Sequence, residues 1–129
     1  MDIFTIQNSQ WRLARNRDIV MMDTSVKSGF SIFRPTWDMV MEYKRQEIDE
    51  AEYTLRYHAH MNASWKANRG KWLETIESKE PMAFGCMCGY LNEDGTVKFC
   101  HRHLLKNIFE KLCNHRGIEF CYYGELRND

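Results

Sequence analysis

Pro81-Met82-Ala83-Phe84-Gly85-Cys86-Met87-Cys88 leads through a polar loop into Cys100-His101-Arg102-His103-Leu104-Leu105, and the reading of this stretch decides the fold. The first half is a short apolar run opened by a proline, which reads as a buried strand. Gly89 to Lys98 contains Asn92-Glu93-Asp94-Gly95, a turn signal. After Cys100, the residues Leu104, Leu105, Ile108, Phe109 and Leu112 recur at helical spacing, and Gly117 supplies a stop. A strand feeding a helix in this manner is half of a strand–helix–strand unit.

The rest of the chain repeats the alternation. Ile3, Phe4 and Ile6 predict a strand over residues 2–7, and Asn8 or Ser9 offers a cap for a helix carrying Trp11, Leu13 and Ala14. Ile19-Val20-Met21-Met22 reads as a second strand, ending in the polar stretch Asp23-Thr24-Ser25-Val26-Lys27-Ser28-Gly29. Pro35-Thr36 introduces a short helix from Trp37 to about Arg45, and Asp49 with Glu52 has the spacing of a capping box. Tyr53, Tyr57, Met61 and Trp65, then Trp72 and Ile76 beyond a break at 68–70, form one helical face. Ile118 to Tyr123 alternates and predicts a last strand, with Gly124-Glu125 after it. The order predicts one α/β domain over residues 1–129, with a Rossmann-like, mostly parallel sheet and covering helices.

Composition narrows the function classes. With 129 residues and 43% hydrophobic content the chain can bury a core without disulfides. Eighteen basic residues meet eighteen acidic ones, and each third of the chain is near balance, so non-specific binding of nucleic acid through phosphates is disfavoured. A small ligand met by a few local cations remains open. No run approaches the roughly 18 apolar residues of a membrane span. Met1-Asp2-Ile3-Phe4-Thr5 lacks the basic start and apolar centre of a signal peptide, so a cytoplasmic location is expected. Five cysteines, an odd number, then read as thiols or metal ligands before disulfides. No Walker-type or Gly-x-Gly-x-x-Gly phosphate loop occurs. A small domain this rich in aromatics also suggests a homodimer.

In open parallel sheets ligands bind beyond the carboxyl ends of the strands. The predicted strands end in Gln7-Asn8-Ser9, in Asp23 to Lys27, in Cys86 and Cys88, and in Tyr123 with Glu125. Parallel strands would bring these clusters to one rim, beside the helix that starts at Cys100. A helix start offers free N–H donors and the positive end of its dipole. Arg102 could add a bidentate clamp for phosphate or carboxylate, and the same field would make Cys100 a thiolate. Equally, Cys100 could be a small buried residue and Arg102 a solvated surface charge.

These residues resemble the domain of unknown function 488 family, most closely its compact phage-type members. Its pattern has an early strand ending near a serine, matched by Thr5-Ile6 to Ser9, and an Asp-led turn, matched by Met22-Asp23-Thr24-Ser25. A late strand running into cysteine and a Cys-His-Arg helix start are matched by Phe84-Gly85-Cys86-Met87-Cys88 and Phe99-Cys100-His101-Arg102-His103. Pro35-Thr36-Trp37-Asp38 resembles a further segment of the phage-type members. The wider family commonly has Asp-Val-Arg at the turn. The arginine is missing here, and Lys27 is the nearest cation. The resemblance implies a fold and a site, and its phage members suggest nucleotide metabolism or host conflict.

Three readings of the site follow. In the first, Arg102 and the helix start hold a nucleotide or similar anionic ring compound. Ser9, Asp23, Ser25 and Lys27 orient it, Trp37 or Tyr57 stacks on it, and any chemistry uses Cys88 or Cys100 as nucleophile with His101 or His103 as base. In the second, Cys86 and Cys88 on one strand face join Cys100 and His103 on one helix face to bind zinc. In the third, the eight Met and four Trp form a partner surface. Cys88 and Cys100 are expected to meet at the mouth of the site, and Arg102 to be dispensable for folding.

Overall fold

Asp2–Gln7 (β1) buries Ile3, Phe4, Thr5 and Ile6 in succession, so the strand needs cover on both faces and must lie inside a sheet. Met82–Cys86 (β3) is buried at every position and has the same requirement. The computed structural model, which describes residues 1–128, meets it with a four-stranded sheet of order β2-β3-β1-β4. The edge strands Val20–Asp23 (β2) and Cys121–Leu126 (β4) are half-exposed. All neighbours are parallel, with Ile3 opposite Met82, Gln7 opposite Cys86, and Asp23 opposite Gly85. The α/β, mostly parallel reading of the sequence is thus correct, and the sheet is wholly parallel.

Side-chain alternation divides the core in two. On one face Ile3, Met82 and Phe84 pack under three helices, Glu50–Ala67 (α3), Arg69–Glu77 (α4) and His101–His115 (α5), through Tyr57, Trp72, Leu105 and Phe109. On the other, Phe4, Ile6, Ala83 and Leu126 meet Ala14 of Trp11–Asn16 (α1) and Ile19. Trp37–Lys44 (α2) follows Thr36, whose hydroxyl accepts from Met39 N at 3.2 Å. The Asp49 carboxylate caps α3 by accepting from Glu52 N at 2.8 Å. Glu52 does not return the bond of a capping box. It accepts from Arg56 Nε at 3.1 Å instead.

The Asn8–Ser9 cap is a correction. Residues 8–10 form a single 3₁₀ turn, and neither side chain caps α1, because the Asn8 amide is drawn to Asp23. Likewise the last strand begins three residues later than its alternation suggests. Residues 118–120 lie beyond the start of β1, so pairing begins only where Cys121 N can donate to Met1 O, and Asp2 stands opposite Cys121.

β4 carries a bulge. Ile3 faces Tyr122 but Thr5 faces Glu125, so one extra residue enters the strand, and Gly124 at φ +97° is that residue. The bulge resets the alternation. Tyr123 stacks on Phe4 on the α1 face with centroids 5.2 Å apart, while Tyr122 bonds Thr5 Oγ1 at 2.7 Å on the α5 face. In a regular strand Glu125 would share the face of Tyr123. With the extra residue, Glu125 turns toward α5.

No described helix is long and apolar enough to cross a membrane. Because an L side chain rarely adopts the Gly124 backbone conformation, Gly124→Ala should cost about 1–3 kcal/mol. Urea unfolding should show a lower midpoint with an unchanged slope. Wild-type stability in this variant would mean that the bulge is not held by Gly124.

Candidate functional site

β1 passes its chain to α1 on one face of the sheet, and its neighbour β3 passes its chain to α5 on the other. Their adjacent carboxyl ends therefore mark the switch point at which such sheets bind ligands. A cavity of about 970 Å³ opens beside it, at the ends of β2 and β3. Cys86, Cys88, Cys100 and His101 form its floor. Trp37, Tyr43, Tyr53 and Phe99 wall it, and its rim carries Lys27, Lys44 and Lys98 against the single carboxylate of Glu50.

Asp23 organises the rim without lining it. Its Oδ1 accepts from Ser25 N at 2.9 Å, Ser25 Oγ at 2.7 Å and Asn8 Nδ2 at 2.9 Å, and its Oδ2 accepts from Ser28 Oγ at 2.7 Å. Burial pushes the pKa of the Asp23 carboxyl up, but these bonds outweigh it and hold the group below its ordinary value. The loops after β1 and β2 are thereby tied together. Gly85 is what lets Asn8 cross between them, since a Cβ there would stand 2.2 Å from Asn8 Oδ1.

The floor is built on Thr24. Its hydroxyl donates to Gly85 O at 2.8 Å and so can only accept from His101. His101 Nε2 lies 2.7 Å from Thr24 O, a carbonyl that must also accept. Nε2 therefore carries the hydrogen, and Nδ1 presents a lone pair to Cys100 Sγ at 3.9 Å. Burial, against the Thr24 bond, lowers the His101 pKa to about 4, so the ring is neutral.

The strand ends at Cys86, and Met87 and Cys88 follow in a bend, yet the three thiols converge. Cys88 accepts hydrogen bonds from Cys100 and Cys86, which, with the charge of Arg102, draw its pKa far below the ordinary thiol value despite burial. Cys100 is pushed well above that value by the bonds to Cys86 and Cys88 and by burial. In Cys86 the bond to Cys100 acts downward, but the bond to Cys88 and burial prevail. The thiolate expected at Cys100 thus lies at Cys88. The field of the helix start is outweighed at Cys100 by donation to its neighbour.

Arg102 requires the largest correction. Its side chain is 0% exposed and faces the interior, where it forms an ion pair with Glu125, itself 2% exposed. Nη2 and Nε donate to the carboxylate at 2.9 and 3.3 Å, and the remaining donors reach Cys88 O at 3.1 Å, Gly89 O at 3.4 Å and Cys100 Sγ at 3.4 Å. Its charge and its fork are fully engaged, so it is not available to clamp an anion in the cavity.

Of the other residues expected at the site, Ser25, Lys27 and Trp37 line the cavity, with Lys27 Nζ 5.2 Å from the Trp37 ring centre. Ser9 is exposed and outside it. Tyr57 is fully buried and donates to Phe33 O at 2.7 Å, so it anchors the loop after β2 instead of stacking on a ligand. His103 packs beside Tyr90, at a 6.0 Å centroid separation, and burial with Arg102 nearby lowers its pKa to about 4. Of the metal set expected at Cys86, Cys88, Cys100 and His103, the histidine is thus not among the donors grouped at the floor. Cys86, Cys100 and His101 bring donor atoms within 4.8 Å of one another. Tyr123 lies on the opposite face of the sheet. Lys44, Lys98, Tyr43, Glu50 and Phe99 were not anticipated, and only the adjacency of Lys98-Phe99 to Cys100 hinted at them.

Fold and site define a Rossmann-like α/β domain with a thiol-floored cavity at its switch edge. A family profile described as DUF488-N3a, Active DUF488-N3 subclade, matches residues 13–112, and the chain belongs to the DUF488 family. No match was found among curated proteins or among solved structures.

Removing one partner of a buried pair strands the other charge. Arg102→Ala should therefore destabilise the protein by about 3–5 kcal/mol in urea unfolding, and a double Arg102→Met, Glu125→Leu variant should recover part of the loss. Unchanged stability in Arg102→Ala would show that the ion pair is not a structural support.

Proposed function

We propose that the cavity binds a small anionic ring compound of nucleotide type, and that Cys88 is the nucleophile facing it. The observation that carries this reading is the charge and shape of the lining. In a chain with no net charge, the cavity gathers three lysines against one glutamate, beside a half-exposed indole at Trp37. Lysines at the rim suit a phosphate or carboxylate, and Trp37 offers a face for a planar ring. Cys86 and Cys100 are buried, whereas Cys88 is half-exposed, so it is the floor thiol open to a ligand. The word "Active" in the description of the matched subclade is in keeping with a reacting member. The resemblance to phage-type members supports a role in nucleotide metabolism or host conflict.

A panel of nucleoside mono-, di- and triphosphates titrated into the reduced, chelator-treated protein tests the reading by calorimetry. At least one member should bind with one-to-one stoichiometry. Lys27→Ala, Lys44→Ala and Lys98→Ala should weaken binding, by about 10- to 150-fold for whichever lysine meets the anion. Trp37→Ala should remove a stacking contact of about 1–3 kcal/mol. Iodoacetamide should modify Cys88 ahead of the other four cysteines, and the bound nucleotide should slow it. If no nucleotide binds the folded protein, or if its binding ignores all three lysines, the ligand reading is wrong.

A further inference from the structure

The floor of the cavity has a second property that ligand binding does not use. Three soft or borderline donors, Cys86 Sγ, Cys100 Sγ and His101 Nδ1, come within 4.8 Å of one another, and all three residues are buried. In a tetrahedral zinc site with Zn–S near 2.3 Å and Zn–N near 2.0–2.1 Å, sulfur and nitrogen ligands stand about 3.6 Å apart. Cys100 Sγ and His101 Nδ1 are 3.9 Å apart, a contraction of a few tenths of an ångström from that geometry.

The surroundings are those of a ligand set as well. A metal-binding imidazole characteristically donates its other N–H to a carbonyl or carboxylate, which fixes the tautomer and the ring plane. His101 does this through Nε2 to Thr24 O at 2.7 Å, and Thr24 is locked in turn by its own bond to Gly85 O. Arg102 Nη1 donates to Cys100 Sγ at 3.4 Å, a contact that stabilises a metal-bound sulfur carrying negative charge. Cys88 lines the same cavity, is half-exposed on the bend after β3, and lies outside that 4.8 Å group, so it is the further donor that would swing in to complete a tetrahedron. The backbone fixes three of the four. Cys86 closes β3, Cys100 is the residue before α5, and His101 opens that helix.

We propose that Cys86, Cys88, Cys100 and His101 Nδ1 form a tetrahedral Cys₃His site for zinc(II), reached through the cavity. Zinc binding and ligand chemistry then exclude one another at Cys88, because a sulfur held by the metal is no longer the free nucleophile. The metal would act as a plug in the floor, binding as the Cys86 and Cys100 thiols release their protons. His103, although it belongs to the same Cys-His-Arg-His segment, takes no part, since it packs beside Tyr90 and is not among the donors grouped at the floor.

The test uses the whole chain, reduced and freed of metal, with cobalt(II) and zinc(II) as the probes. One equivalent of cobalt should give thiolate-to-cobalt charge-transfer absorption and the intense visible bands of a tetrahedral ion, and zinc should abolish both stoichiometrically. His101→Ala should weaken zinc binding at least 10-fold, while His103→Ala should leave it unchanged. Zinc should also suppress iodoacetamide modification of Cys88. Because Cys86 and Cys100 are buried and their variants can misfold, the wild-type cobalt spectrum is decisive on its own. A spectrum lacking charge-transfer bands, octahedral cobalt, or zinc affinity equal in His101→Ala and wild type would each overturn the proposal. The nucleotide titration is run on metal-free protein, so loss of either proposal leaves the other standing.

Discussion

The salt bridge between Arg102 and Glu125 is the constraint on which the rest of the molecule depends. A buried ion pair is tolerated only where the geometry is good and the spare donors are satisfied. Here two donors meet the carboxylate and the others meet Cys88 O, Gly89 O and Cys100 Sγ. One side chain thus fastens the start of α5 to the last strand and to the bend after β3. The Gly124 bulge exists in the same arrangement, because it turns Glu125 to the α5 face. The cavity floor inherits its rigidity from a pair that never touches the cavity.

A second, independent anchor holds the opposite wall. Tyr57 and Ser64 of α3 donate to the carbonyls of Phe33 and Ile32, and Trp72 Nε1 donates to the Ser64 hydroxyl. These bonds satisfy polar groups of a loop that runs under the helices, where water cannot reach them. The Asp23 turn then fixes the other end of the same loop through Ser25 and Ser28. Rim residues such as Lys27 are therefore mounted between two fixed points, with the Lys27 ammonium against the Trp37 ring.

Much of the fold was legible in the sequence because local and global signals agree. The apolar runs of β1 and β3 imply burial on both faces, and the helical stripe of α5 fits the core it meets. The start of β4 was not legible, since pairing depends on where the partner strand begins. At the site, the thiols and the Asp23 turn were found from strand ends and the helix start. Arg102 was misread because a charged residue at a helix start is ordinarily solvated, and its partner lies 23 residues on, turned inward by a bulge. His101 and His103 differ by two positions, and only the direction of the first helical turn tells which one meets the thiols. The lysines of the rim come from three separate segments and carry no motif.

Parallel pairing between the first and last strands also has a temporal side. The pairing of β1, β2 and β3 uses residues only up to Cys86, but Glu125 belongs to β4. During synthesis Arg102 therefore emerges before its counter-charge. It must remain hydrated, or borrow another acceptor, until β4 docks against β1. Assembly of the thiol floor is consequently postponed to the end of translation of this domain, and the nascent chain passes through a stage with its sheet begun and its three cysteines still unorganised. In that interval the thiols lack the shelter that the folded chain gives Cys86 and Cys100.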